Sequence, residues 1–148
     1  MGQQQLLLVI LVTIIVGIAT VVAINTFGGA ADSANLDAVR QDVASIAAGA
    51  QGFYIKPAML GGGANDFTNI TFNTMAFAAD SISADGLTAI NANGVYSISS
   101  TTATEFVLTA HPASRITGSL SFSATATEGQ GELVADITEG GVSYTDNQ

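Results

Sequence analysis

The residue types that could support catalysis are few in this 148-residue chain. It has one histidine, His111, with Ser114 nearby in sequence and Asp136 further along. A Ser-His-Asp triad needs a nucleophile beside the histidine and a carboxylate that orients it. No G-x-S-x-G elbow marks a nucleophilic serine, and the His111-Pro112 pair predicts a solvated turn. We therefore expect no catalytic residue and no enzyme activity.

Oxygen ligands for a cation such as calcium occur in two short stretches. One holds Asp80 and Asp85, and the other holds Asp66 with Asn65 and Asn69. Neither has the twelve-residue spacing of an EF-hand. The chain has no cysteine, so thiolate metal sites and disulfides are excluded. We expect no metal site and no cofactor.

Two further motifs lie in the same region. Three consecutive glycines, residues 61–63, lack the following Lys-Ser/Thr of a phosphate-binding loop and predict a flexible loop. Asn69-Ile70-Thr71 matches the N-glycosylation sequon, which makes Asn69 a candidate glycosylation site.

The charges are sparse and unevenly distributed. Twelve acidic residues against three basic ones give a net charge of −9. All of them follow residue 31, so an uncharged apolar segment precedes an acidic, polar remainder. Three cations cannot follow a phosphate backbone, so we expect no contact with nucleic acid.

The apolar segment predicts a helix that must be surrounded on every side. From Leu6 to Ile24 only Thr13, Gly17 and Thr20 interrupt the apolar residues, and no polar face remains. A helix of this length measures about 28 Å, close to the hydrocarbon thickness of a bilayer. A cleaved signal peptide is the alternative. The run exceeds a typical signal-peptide core, however, and no Lys or Arg precedes it.

A second, amphipathic helix is predicted after an interruption. Asn25–Ala30 contains two adjacent glycines and predicts a break, with Asp32 or Ser33 capping a new helix. Apolar residues then recur at spacings of three and four, and Lys56-Pro57 ends the pattern. We expect one face of this helix to pack on a sheet of its own domain, through Leu36, Val39, Val43, Ile46 and Phe53.

The rest of the chain predicts short antiparallel strands. Ser/Thr-rich, β-branched segments with period-2 alternation are separated by Gly, Pro, Asp or Asn. They are Val95–Ile98, Phe106–Ala110, Leu120–Ala124, Leu133–Ile137 and Val142–Tyr144. The fold class expected is α+β, with one sheet face on the amphipathic helix and the other in solvent. The boundaries are residues 1–30 for the hydrophobic arm, 31–57 for the amphipathic helix and 58–148 for a small antiparallel β-sheet head.

The layout resembles bacterial type IV pilins, pseudopilins and archaeal filament subunits. The specific similarity lies in MGQQQLLLVILVTIIVGIATVVAINTF, and the remainder is similar in layout only. The resemblance implies removal of a basic leader by a prepilin peptidase, either before Met1 or between Gly2 and Gln3. Bacterial pilins usually carry a glutamate near the mature start, where this chain has Gln5, so their glutamate-based assembly contact is in doubt here.

The resemblance also implies which residues assemble the polymer. Gln5 is expected to make a polar contact between subunits, and Gly17, Gly28 and Gly29 to allow the helix to bend. The apolar residues expected in the filament core are Leu6, Leu7, Leu8, Val9, Ile10, Leu11, Ile14, Ile15, Ile18, Val21, Val22 and Ile24.

The function expected is that of a structural subunit of a type IV pilus-like filament. Its partners are then copies of itself, the pilus assembly machinery, the prepilin peptidase and, before assembly, the lipid of the cytoplasmic membrane. Its location is a filament on the cell surface. The alternatives are a monomeric, membrane-anchored binding module and a minor pseudopilin of a secretion system.

Overall fold

A long N-terminal helix is followed by a six-stranded antiparallel sheet in the computed structural model, which describes residues 2–123 and 131–147. Helix α1 spans Gly2–Ile55. The strands are β1 (Ser81–Ile82), β2 (Thr88–Asn91), β3 (Gly94–Ser99), β4 (Glu105–Pro112), β5 (Glu132–Thr138) and β6 (Gly141–Asn147). The α+β class and the antiparallel sheet predicted from the sequence are confirmed.

The chain divides into two units between Ala34 and Asn35. Residues 2–34 of α1 form the first unit, here named the arm. Residues 35–147 form the second unit, the body, which contains the end of α1 and the whole sheet.

The predicted interruption at Asn25–Ala30 is wrong, because α1 continues through these residues. Neither Asp32 nor Ser33 begins a new helix. The Ser33 hydroxyl instead donates to the Gly29 carbonyl, 3.0 Å away, one turn earlier in the same helix. Two glycines cost about 1 kcal/mol each relative to alanine. A second helix nucleus and two new ends cost more, so propagation prevails.

The helix ends where the sequence predicts, at the residue before Lys56-Pro57. A single 3-10 turn, Ala58–Leu60, follows it. Two of the three glycines after this turn, Gly62 and Gly63, are closely packed, contrary to the flexible loop expected. A Cβ on Gly62 would overlap the Lys56 carbonyl, and one on Gly63 would overlap the Asp66 carbonyl. Glycine is needed here for close backbone approach.

The six strands form a meander in the order β1-β2-β3-β4-β5-β6, with every neighbouring pair antiparallel. In the centre of the sheet Tyr96 pairs with Ala110, and Leu108 pairs with Ala135. The predicted strands at 95–98, 106–110, 133–137 and 142–144 lie inside β3, β4, β5 and β6.

The strand prediction over Leu120–Ala124 is wrong for residues 120–123, which form no strand, and Ala124 lies outside the described residues. The place beside β4 is already taken by β5, which pairs with it from Glu105–Thr138 onward. Gly118, at φ +104°, also turns the chain just before this segment. Conversely, β1 and β2 lie where the sequence analysis predicts no strand.

One apolar core joins the body part of α1 to the sheet. The helix contributes Val39, Val43, Ile46, Ala47, Ala50 and Phe53, all buried. Four of the five predicted packing residues, Val39, Val43, Ile46 and Phe53, are part of this core, whereas Leu36 is half-buried and not among its members. The sheet contributes Tyr96, Ile98, Phe106, Leu108, Ala110, Leu133, Ala135 and Ile137, and the connection between helix and sheet adds Phe67, Ile70, Phe72 and Met75.

The opposite face of the sheet is not simply solvated, contrary to the sequence-based expectation. Val95 and His111 are register partners on β3 and β4, on the face away from the helix core, and both are buried. A 3-10 turn, Ala113–Arg115, contacts β3 at this end of the sheet. The predicted solvated turn at His111 is therefore wrong, because His111 is a buried residue of β4.

A polar network fixes α1 against the β2–β3 hairpin. Asp42 Oδ2 accepts hydrogen bonds from Asn91 Nδ2 and Asn93 Nδ2, both 2.8 Å away, and from the Tyr96 hydroxyl at 2.7 Å. Burial and, to a smaller extent, the hydrogen bond that its hydroxyl donates to Asp42 raise the pKa of Tyr96 far above its usual range. Asn35 adds a second tie, since its Nδ2 donates to the Asn93 carbonyl at 3.0 Å. The helix is thus held in one register on the sheet.

We expect Asp42→Ala to lower the free energy of unfolding of the body by about 3 kcal/mol, because the buried Tyr96 hydroxyl loses its acceptor. Asp37→Ala is the matched control on the same helix. Its carboxylate is 74% exposed and pairs with Arg40 at 3.2 Å, so its removal should cost under about 0.5 kcal/mol. Urea unfolding in detergent, followed by near-ultraviolet circular dichroism, measures both. Equal midpoints for the two variants would contradict the assignment.

Candidate assembly surface

The arm exposes apolar side chains in every direction around the helix axis. Between Leu6 and Ile24 its large apolar side chains are 47–66% exposed. Ile10 is the least exposed of them and Ile24 the most exposed. Consecutive residues point about 100° apart around a helix, so an unbroken apolar run leaves no polar face. Such a surface is stable only when something apolar covers it.

The threonine side chains of the arm satisfy their hydrogen bonds inside the helix. The Thr13 hydroxyl donates to the Val9 and Ile10 carbonyls at 2.9 and 2.8 Å. Thr20 and Thr26 donate to Val16 and Val22 at 2.8 and 2.9 Å. An apolar environment therefore meets no unpaired hydroxyl on these three threonines, which lowers the cost of entering it.

The helix that contains the arm is long and apolar enough to cross a membrane, and none of its most apolar stretch is buried in the protein. A signal sequence near an N-terminus has the same character. Membrane association of this segment is thus indicated by length and composition alone.

The residues expected to assemble the polymer all lie on the arm. Gln5 is in the first turns of α1 and exposed, and the twelve apolar residues from Leu6 to Ile24 follow it on all sides. Gly17, Gly28 and Gly29 sit within the helix, and a Cβ at each would meet no other atom within 4 Å. Space for an approaching helix therefore exists at these glycines, whereas their role in bending stays a prediction.

The three residues considered for a catalytic triad are not brought together. Asp136 pairs with Val107, four residues along β4 from His111. At about 3.3 Å per residue this separates Asp136 from His111 by about 13 Å. The Ser114 backbone N–H is bound to Asn35 Oδ1 at 3.2 Å. These three residues are therefore not arranged as a nucleophile, a base and an orienting carboxylate within hydrogen-bonding distance of one another.

Two of the three carboxylates considered for calcium, those of Asp66 and Asp85, are engaged in their own turns. Asp66 Oδ1 accepts from the Thr68 hydroxyl and backbone N–H at 2.5 and 2.7 Å. Asp85 Oδ1 accepts from the Ser83 hydroxyl and from the Leu87 N–H, the latter at 3.0 Å. These hydrogen bonds lower the pKa of both carboxyls. Within residues 2–123 and 131–147, no three His, Asp or Glu side chains are grouped to hold a metal ion.

The candidate glycosylation residue Asn69 is exposed in the turn that follows Phe67. Its neighbour Ile70 is buried in the core. The amide is therefore accessible on the folded body, and its modification stays a prediction.

Sequence reasoning missed the Asp42 network altogether. Asp42 lies 49 residues from Asn91 and 54 from Tyr96, so no local pattern links them. The one available signal was an acidic residue on the helix next to the predicted apolar face.

No protein-family model, curated protein or solved structure matches this chain. Its function must therefore be inferred from the exposed arm and from the chemistry of its residues.

The buried histidine gives the body a defined pH dependence. Burial lowers the pKa of His111 below its ordinary value of 6.5, while the nearby Glu132 acts in the opposite direction. The unfolded chain then binds the proton more tightly than the folded one. The contribution of neutral His111 to the free energy of unfolding is therefore fully present above about pH 6.5 and is lost as the pH falls below it. The lowered pKa of Asp66 and of Asp85 keeps both carboxylates ionised over this range.

We accordingly expect urea midpoints to fall between about pH 7.5 and pH 5.5 in the unmodified chain, and to fall less in His111→Gln. The same detergent and near-ultraviolet signal apply at both pH values. An identical fall in both proteins would show that His111 does not carry this dependence.

Proposed function

We propose that the chain is a structural subunit that polymerises through its arm into an extracellular, type IV pilus-like filament. The observation that supports this most is the all-round exposure of apolar side chains from Leu6 to Ile24. The similarity of the N-terminal sequence and of the layout to pilins adds to it. Copies of the same arm are the partners that match such a surface over its whole length.

The flanks of the arm favour a segment that can leave the membrane. Permanent membrane helices are usually held at the interfaces by Lys, Arg, Trp or Tyr. None of these residues occurs in residues 1–31, and the first charge is the acidic Asp32. Within residues 1–31 the helix therefore has no such side chain to withdraw from the interface when it passes from lipid into a polymer.

The driving force for assembly changes with the environment. Inside lipid, helices associate by close packing rather than by the hydrophobic effect, and small residues such as Gly17 let backbones approach. Outside lipid, covering the exposed half of each Leu, Ile or Val side chain contributes about 0.7–2 kcal/mol. The polymer is then stable in water, where the free arm is not.

Gln5 is proposed as the polar contact between subunits near the end of the arm. Its amide offers one acceptor oxygen and two N–H donors, so it can pair with a neighbouring terminus without a buried charge. A glutamate there would carry a desolvation cost that the amide avoids. The hydrophobic arm therefore supplies more of the assembly energy than in pilins with the glutamate.

The proposed filament implies three further partners. They are the pilus assembly machinery, a prepilin peptidase that acts near Met1 or Gly2, and the lipid of the cytoplasmic membrane before assembly. A monomeric anchored module remains the alternative function, since the same arm is long enough to span a bilayer.

We expect Leu11→Asp or Ile15→Asp to reduce filaments sheared from cells by at least about tenfold, because a carboxylate in an apolar environment costs about 2.5–3.5 kcal/mol. Ala84→Asp adds the same charge at an exposed position of the body and should leave the yield unchanged. Immunoblots of sheared and membrane fractions measure the yield and confirm that each variant accumulates. Normal filaments from either arm variant would refute the role of the arm.

A further inference from the structure

The turn between β2 and β3 contains Asn93-Gly94, the single Asn-Gly pair of the chain. An asparagine before a glycine is prone to lose its side-chain amide without an enzyme, because glycine has no Cβ to keep its backbone nitrogen away from the neighbouring carboxamide. The packing of the sheet requires a glycine at this position, since a Cβ on Gly94 would overlap the His111 carbonyl. The fold therefore keeps a reactive pair in the β2–β3 hairpin.

Hydrogen bonds hold both reacting groups of this pair in the folded body. Asn93 Nδ2, the amide nitrogen that would leave, donates to Asp42 Oδ2 at 2.8 Å. The Gly94 N–H, whose nitrogen would attack, donates to Asn91 Oδ1 at 3.1 Å. The Asn93 carbonyl accepts from Asn35 Nδ2 at 3.0 Å. Turning the carboxamide of Asn93 onto the Gly94 nitrogen breaks these bonds, so the docked hairpin resists the reaction.

We propose that Asn93 is a self-modification site, which its hydrogen bond to Asp42 keeps closed while the β2–β3 hairpin is docked on α1. When the hairpin detaches, the Gly94 nitrogen gives its proton to water and forms a bond to Asn93 Cγ. The Cγ–Nδ2 bond breaks, and the amide nitrogen takes a proton from water and leaves as ammonia. Water then opens the resulting succinimide ring at either carbonyl and returns a proton to the ring nitrogen.

The products prevent the hairpin from docking again in its original register. Ring opening leaves aspartate or isoaspartate at position 93, and the net reaction consumes water and releases ammonia without oxidation or reduction. A carboxylate then faces Asp42 where an amide donor had been, and two carboxylates at that separation repel each other. Isoaspartate also lengthens the backbone of the turn. The modification therefore makes a transient opening permanent, and it depends on the body alone, not on the proposed filament.

Mass spectrometry of the full-length chain in detergent measures the conversion of amide to acid at Asn93. The chain is kept at mildly alkaline pH under native conditions and, in parallel, unfolded in urea. Asp42→Ala removes the acceptor of the Asn93 amide, and Asp37→Ala is the matched, exposed control on the same helix. Near-ultraviolet circular dichroism establishes that each variant is folded. Asn93→Gln forms its larger ring far more slowly and assigns the mass gain to this position.

Under native conditions, Asn93 is expected to convert at least about tenfold more slowly than in urea, and at least about tenfold faster in Asp42→Ala than in Asp37→Ala. Equal native rates in these two variants would overturn the proposal. Conversion that is as fast in the native chain as in urea would also overturn it, as would the same mass gain in Asn93→Gln.

A second comparison applies if Asp42→Ala does not fold. Asn93→Asp carries one product of the reaction, and Ala92→Asp adds the same charge at the exposed neighbouring position. We expect a lower urea midpoint for Asn93→Asp, because its carboxylate meets that of Asp42. Equal midpoints for the two variants would overturn the proposal.

Discussion

The need to cover the arm governs what this chain can do. Its apolar side chains from Leu6 to Ile24 are exposed on all sides, and its threonine hydroxyls are already bound to the helix backbone. The arm thus has no polar face for water and little polar cost on entering an apolar environment. Lipid and copies of the same arm both provide that environment. A pilin-like subunit, as proposed, would use the two in turn.

The body covers its own apolar helix face. From Val39 to Phe53 the apolar residues of α1 occupy one face, and the sheet covers that face. Asp42 then fixes the register through three hydrogen bonds to the β2–β3 hairpin. One helix therefore combines a segment that its own fold covers with a segment that other molecules must cover. The acidic surface of the body, with few cations, keeps it compatible with water.

The features predicted correctly from the sequence depend on local or periodic rules. Pro57 ends the helix through a constraint on its neighbour, and β3 to β6 follow a clear alternation of apolar residues. The predictions that are wrong involve competing local structures or contacts between residues far apart in the sequence. Gly28 and Gly29 predicted a break that helix cooperativity overrides. Residues 120–123 alternate like a strand, but β5 occupies the position beside β4 that a continuing meander would give them. The burial of His111 and the exposure of Met59 are set by tertiary packing, which no local pattern encodes.

Electron cryomicroscopy of material sheared from cells, with mass spectrometry of the subunit N-terminus, tests the central claim most directly. The account predicts thin helical fibres of this chain, in which residues 6–24 of neighbouring copies pack together and form the core. The chain should begin at Met1 or Gln3 in those fibres. Its recovery only as single particles from detergent-solubilised membranes, with no fibres, would contradict the account and favour the anchored module.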